Sequence, residues 1–174
     1  MNIKFLIKSI INKSLSKLGY EIRRTDSKVN FPIELSHEEI KIIESIENYT
    51  MTGRLRIFSL ISIFKEIINK NVKGDLVECG VWRGGNLILL QKLNELYKQN
   101  KTIYGFDTFD GMTPAGQFDI DLRNVDSQNL LRFTKKINDK KNIWAFCDIE
   151  TVKKNILDNV SSNNIKLIKG DVKS

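Results

Sequence analysis

Hydrophobic residues change spacing along this chain, and each change marks a different kind of element. Between residues 3 and 18 they recur with a helical period. On a wheel of about 100° per residue, Ile3, Leu6, Ile7, Ile10, Ile11, Leu15 and Leu18 share one arc, flanked by Lys4, Lys8, Lys13 and Lys17, with only Phe5 pointing away. Asp26 to Pro32 is polar, ends in proline and reads as a linker. Ser36-His37-Glu38-Glu39 has the spacing of a capping box, which predicts a helix continuing through Ile40, Ile43 and Ile46. After a break at Tyr49 to Gly53, the residues Leu55, Phe58, Ile61, Phe64 and Ile68 predict a longer amphipathic helix. Both helices are expected to cover a sheet.

From Gly74 the period shortens. Asp75 to Cys79 is a short apolar strand stopped by Gly80, Leu87 to Leu96 is a helix, and Thr102 to Phe106 is a second strand stopped by Asp107. A long polar connection with a helix over Ser127 to Asn138 follows, then a helix from Ile149 to Val160 and a third strand from Ile165 to Ile168. Strands alternating with helices imply βαβ units and a parallel sheet, hence an α/β fold. The expected organisation is a basic arm over residues 1–30 and one α/β domain over residues 31–174.

Composition narrows the class. With 41% hydrophobic residues, 28% charged residues and 2 prolines, the chain is neither disordered nor collagenous. Its apolar runs are far shorter than the roughly 20 residues that cross a bilayer. Cys79 and Cys147 form no CxxC pair, which favours a reducing cytoplasm over secretion. The net charge of +7 first suggests nucleic acid, but residues 1–30 hold seven Lys or Arg against Glu21 and Asp26. The remainder is nearly neutral and has no basic stripe interleaved with aromatics, so no nucleic-acid partner is expected. Lysines beside an apolar face can hold their ammonium groups in a headgroup layer, so residues 1–20 fit peripheral contact with the inner membrane face. They fit equally a helix that docks on the rest of the protein or on a partner. Interrupting lysines and the lack of a small-residue cleavage site argue against a signal peptide.

Candidate chemistry centres on Glu78-Cys79-Gly80-Val81-Trp82-Arg83-Gly84-Gly85, between the first strand and its helix, where α/β folds bind nucleotides. Gly80 permits a sharp turn, Gly84 and Gly85 let a helix begin close to a ligand, and free N–H groups at that helix start can receive a carboxylate. The dinucleotide pattern fails because Trp82 stands where the second glycine would admit a pyrophosphate, which counts against a nicotinamide-dependent oxidoreductase. The Walker pattern fails as well. What remains suits an adenosine with an amino-acid tail and no phosphate, as in S-adenosylmethionine. Glu78 would complement its sulfonium and ammonium groups, while the helix start, with Arg83 as a further candidate, would face its carboxylate. Asp107, 29 residues after Glu78, is placed to accept both ribose hydroxyls, although a loop Asp is as often a turn residue. Gly170-Asp171 after the third strand would lie near the adenine edge. His37, the one histidine, is expected to be solvated or capping rather than catalytic.

Together with Tyr49-Thr50-Met51-Thr52 and Gly105-Phe106-Asp107-Thr108-Phe109-Asp110-Gly111-Met112, the run from Glu78 to Gly85 resembles the macrocin O-methyltransferase (TylF-like) family of S-adenosylmethionine-dependent enzymes. The resemblance extends from about Tyr49 to Val172. It implies a class I methyltransferase (Rossmann-like) sheet and magnesium-assisted transfer of a methyl group to a sugar hydroxyl in antibiotic or surface-polysaccharide pathways. It implies cofactor contacts at Thr50, Met51, Glu78, Cys79, Gly80, Val81, Trp82, Gly84, Asp107, Thr108, Phe109, Asp110, Gly111, Asp171 and Val172. The acceptor would be a small molecule or glycan. Such a sheet has seven strands, yet 94 residues follow Gly80 and read as completing only the second and third. The chain is therefore expected to be the N-terminal portion of the domain, with the first strand as an open edge that favours homo-oligomers. No catalytic residue or metal ligand is assigned. Asp119 and Asp121 are read as a solvated acidic loop rather than a magnesium pair. The alternative is a non-catalytic module that binds a cofactor, a partner or a membrane.

Overall fold

A computed structural model describes residues 31–112, 136–138, 141–142, 145–161 and 164–171. The chain divides into two units, Met1–Pro32 and Ile33–Ser174. The amphipathic arm lies outside the described residues, and every helix and strand described belongs to the second unit.

Helix α1, His37–Ile46, begins where the capping box predicts: Ser36 Oγ accepts from the Glu39 amide at 3.2 Å, and Glu39 Oε2 accepts from the Ser36 amide at 2.6 Å. A 3₁₀ turn, Glu47–Tyr49, leads through an extended Thr50 to α2, Arg54–Asn69. Strand β1, Leu76–Cys79, is followed by α3, Gly85–Leu96, and β2, Ile103–Asp107. After a short antiparallel pair, β3 (Lys136–Asn138) and β4 (Lys141–Asn142), come α4, Ile149–Asn159, and β5, Ile165–Lys169. The helix expected over Ser127 to Asn138 is therefore wrong at its end, where residues 136–138 are extended; its earlier residues lie outside those described. Asp148 caps α4 by accepting from the Thr151 amide at 2.9 Å; the Thr151 hydroxyl, donating at 2.7 Å, and then that amide hold its carboxyl below the usual range.

The main sheet has the order β1-β2-β5 with both pairings parallel, Leu76 facing Ile103 and Ile103 facing Ile165. Parallel strands end on the same rim, so the residues after β1, β2 and β5 meet there. Helix α3 lies at the centre of the packing. Leu87, Ile88, Leu89 and Leu93 are completely buried, and the Leu87 side chain occupies the space over Gly105, where an added Cβ would come within 2.7 Å of it. Helices α1 and α2 both pack on α3. The buried face of α2 is Ile57, Ile61 and Phe64, whereas Leu55 is 76% exposed. The stripe is thus rotated from the predicted one, because an apolar residue in a first helical turn need not face inward. On the other sheet face Val77, Phe106 and Ile168 are exposed, and among the described residues β1 pairs on one side only.

Glu39 does more than cap. It is fully buried, and its Oε1 accepts from the Tyr97 hydroxyl at 2.8 Å and lies 3.3 Å from Lys65 Nζ, tying α1 to α2 and to the end of α3. Burial, reinforced by this bond, pushes the Tyr97 phenol up to about 12. Replacing Glu39 with Ala strands the Ser36 amide and the Tyr97 hydroxyl together and leaves Lys65 Nζ its 3.4 Å bond to the Glu34 carbonyl. It is expected to cost about 2–4 kcal/mol of stability, read as a lower urea midpoint at unchanged slope.

Candidate active site

The loop between β1 and α3 is shaped by three left-handed backbone positions in close succession. Gly80 has φ 90°, Trp82 φ 49° and Gly84 φ 88°. Glycine adopts such angles freely, and a tryptophan does so only where its surroundings enforce it. The enforcement comes from Asp107 at the end of β2. Its Oδ2 accepts from the Val81 amide at 2.6 Å and the Trp82 amide at 3.2 Å, and its Oδ1 accepts from the Phe109 amide at 2.8 Å. One carboxylate therefore fastens both the glycine loop and its own turn, in which Phe109 (φ 52°) and Gly111 are again left-handed. Phe109 is buried, and Thr108 Oγ1 donates to the Gly111 carbonyl at 3.1 Å. A carboxylate offers about four acceptor directions, and three are taken by backbone donors. One direction remains, beside Thr108 Oγ1, which lies 3.5 Å from Oδ1.

Gly84 is the N-cap of α3 and provides no side-chain cap, so the first amides of that helix point at the rim without a side-chain acceptor. Gly85 lets the helix start lie against the segment before α2: a Cβ there would come within 2.6 Å of the Thr50 side chain and of the Tyr49 carbonyl. Thr50 is thus held beside the loop, while Met51 is exposed. Arg83, a candidate partner for a ligand carboxylate, instead stacks its guanidinium 4.8 Å from the Trp82 ring centroid and donates to the Asn48 carbonyl at 3.4 Å. Cys79 is exposed, and Cys147 is buried with its thiol pushed up by burial and by neighbouring Asp148. Asp110 lies 3.7 Å from Lys169, and Asp171 follows Gly170, whose amide donates to the Asp107 carbonyl at 3.0 Å. Val172, Asp119 and Asp121 fall outside the described residues.

Glu78 is the electrostatic focus. Its Oε1 accepts from Asn86 Nδ2 at 2.7 Å, while Oε2 is buried and meets no donor among the described residues. Burial raises its carboxyl to about 7, the Asn86 bond opposes that rise, and the Asp107 charge adds to it. A buried acceptor without a donor, beside an uncapped helix start, is a site that suits a cation attached to a carboxylate. S-adenosylmethionine fits that donor set. Among the described residues no group of three or more His, Cys, Asp or Glu is placed to hold a metal ion, and His37 sits exposed on the first turn of α1. For the magnesium implied by the resemblance, the described residues therefore provide no ligand set to assign. Asn86 was not singled out from the sequence; its place two residues after Gly84, in the first turn of the helix, was the available signal.

Parallel strands with this loop at their carboxyl ends define the fold as that of a class I methyltransferase. The profile of the family described as Macrocin-O-methyltransferase (TylF) matches residues 36–148, and the chain belongs to that family. It is 32% identical over 92 residues to a demethyldecarbamoylnovobiocin O-methyltransferase of Streptomyces niveus, covering 47% of this chain and 35% of that protein. It is 33% identical over 69 residues to an 8-demethyl-8-(2,3-dimethoxy-alpha-L-rhamnosyl)-tetracenomycin-C 4'-O-methyltransferase of Streptomyces olivaceus, covering 39% and 26% respectively. The structure of the O-methyltransferase NovP superposes with a TM-score of 0.51 at 25% identity, over 70% of this chain and 47% of that one. The chain thus spans less than half the length of each of these relatives.

Proposed function

We propose that this chain carries the donor-binding part of an S-adenosylmethionine-dependent O-methyltransferase whose acceptor is a sugar hydroxyl on a small molecule or glycan. The observation that carries this reading is the buried, donorless Oε2 of Glu78 beside the open start of α3. Glu78 would take the cationic end of the donor, the first amides of α3 its carboxylate, and Asp107 one ribose hydroxyl. Cys79, Gly80, Val81, Trp82 and Gly84 would line its path, with Thr108, Phe109, Asp110 and Gly111 from the second turn, Asp171 and Val172 near the adenine, and Thr50 and Met51 closing the side. The chemistry supplied by the bound donor is transfer of its sulfonium methyl to an acceptor oxygen, which loses its proton as S-adenosylhomocysteine is left. The residues of this chain contribute alignment and a fixed electrostatic setting for the positive sulfur. A sugar acceptor is supported by the family and by the second relative, whose name carries a rhamnosyl group and a 4'-oxygen.

Isothermal titration with S-adenosylmethionine and S-adenosylhomocysteine tests the reading. Both should bind, and both should lose affinity below about pH 7, because each carries the α-ammonium that the ionised Glu78 would meet and only the donor adds a sulfonium. Absence of heat or competition with either ligand at pH 8 would refute the assignment.

A further inference from the structure

The side chain of Asn86 sits at a junction that the proposed cofactor contacts do not explain. Its Nδ2 donates to Glu78 Oε1 at 2.7 Å and to Thr52 Oγ1 at 3.3 Å, and its Oδ1 accepts from Thr50 Oγ1 at 3.4 Å. Thr50 Oγ1 in turn accepts from the Thr52 amide at 3.0 Å. With Glu78 ionised, the direction of every bond in this ring is fixed, since a carboxylate only accepts and so the amide nitrogen must face Glu78. The oxygen of the amide is thereby turned to Thr50, whose hydroxyl is left to donate. Both protons and the acceptor of the amide are used, and no freedom remains for the group to flip. The helix start and the Thr50 segment are also pressed together at Gly85, where no side chain fits. The ring therefore joins three separate pieces of chain: the end of β1, the first turn of α3 and the segment before α2.

We infer that Asn86 is a positioning residue for the methyl donor: it holds Glu78 by Oε1 so that Oε2 is left for the cationic groups of the ligand, and it ties that carboxylate to the Thr50–Thr52 segment. The inference deepens the proposed function and rests on it for the identity of the ligand. Without the Asn86 amide, the Glu78 carboxylate has two unmet acceptors and the repulsion of Asp107, so it keeps its proton to higher pH. Asn86 on α3 and Asp107 on β2 are the groups that act on it. Loss of the ring also frees Thr50 and Thr52 to leave the loop.

The contact and the cofactor role are separable by experiment. Carbon-13 NMR of the Glu78 side-chain carboxyl, titrated without ligand, should show a higher midpoint in the Asn86→Ala variant than in the parent chain. Exchange of the Thr52 amide should be faster. Donor affinity at pH 7 should fall roughly tenfold, with its pH profile displaced upward by the same amount as the midpoint. Asn86→Asp keeps the shape, removes the donor and adds a carboxylate, so the pair should share a proton to still higher pH; it serves if the Ala variant does not fold. An unmoved Glu78 midpoint in the folded variant overturns the inference. A midpoint moved in the variant, with a parent chain that binds no donor at any pH, overturns the cofactor role while supporting the Asn86–Glu78 contact.

Discussion

Asp107→Asn is expected to loosen the glycine loop and the turn after β2 at once, lowering stability by about 2–3 kcal/mol and donor affinity by at least about tenfold. The reason is the number of backbone amides that converge on this side chain: Val81 and Trp82 on one oxygen, Phe109 on the other. An Asn amide can keep one of these sets, but its NH2 must then confront the other set, donor against donor. Trp82 and Phe109, both left-handed and both held by these bonds, would relax toward ordinary angles. Urea unfolding and calorimetry on the same preparation distinguish this account from a role in ribose binding alone. If affinity falls while the urea midpoint stays, the carboxylate serves the ligand and not the loop.

Glu78→Gln should make the free protein more stable above pH 7 and a poorer binder of the donor. The folded-state carboxyl is raised from 4.5 to about 7, so between these values the folded chain keeps a proton that the unfolded chain has released. The unfolded state then binds fewer protons, and stability falls as pH rises through that window, by an amount of order 3 kcal/mol once both states are ionised. Gln removes this penalty, so the variant and the parent should unfold alike near pH 4 and diverge toward pH 8. Binding goes the other way. A cationic ligand selects the ionised carboxylate, so parent affinity should rise about tenfold per pH unit below 7 and then level off, with a proton released on binding. The Gln variant should be flat with pH and roughly ten- to a hundredfold weaker at pH 8. A parent chain whose affinity ignores pH between about 5 and 8 would show that Glu78 does not meet the positive charge.

Local signals were legible in the sequence and distant ones were not. The capping box at Ser36 placed the start of α1 because its bonds span three residues, and the strands β1, β2 and β5 were visible as apolar runs ended by Gly80, Asp107 and Gly170. The same glutamate that marked the cap gave no sign of its burial, since Tyr97 lies 58 residues away and Lys65 on another helix. Residues 136–138 pair with 141–142 as a short bulged ladder, and Lys and Asn carry no strand signal there. In the site, the glycines and acids were recognisable by type and position. Asp107's commitment to backbone amides and the Asn86 ring depend on contacts 25 to 36 residues apart, which a linear pattern does not record.

Trp82 occupies the bend of the loop with a guanidinium laid over its indole and its own amide fastened to Asp107. The chain has a second indole, Trp144. With Trp144 replaced by Phe, the emission of Trp82 is expected to change when a ligand occupies the rim, without a dye or a label.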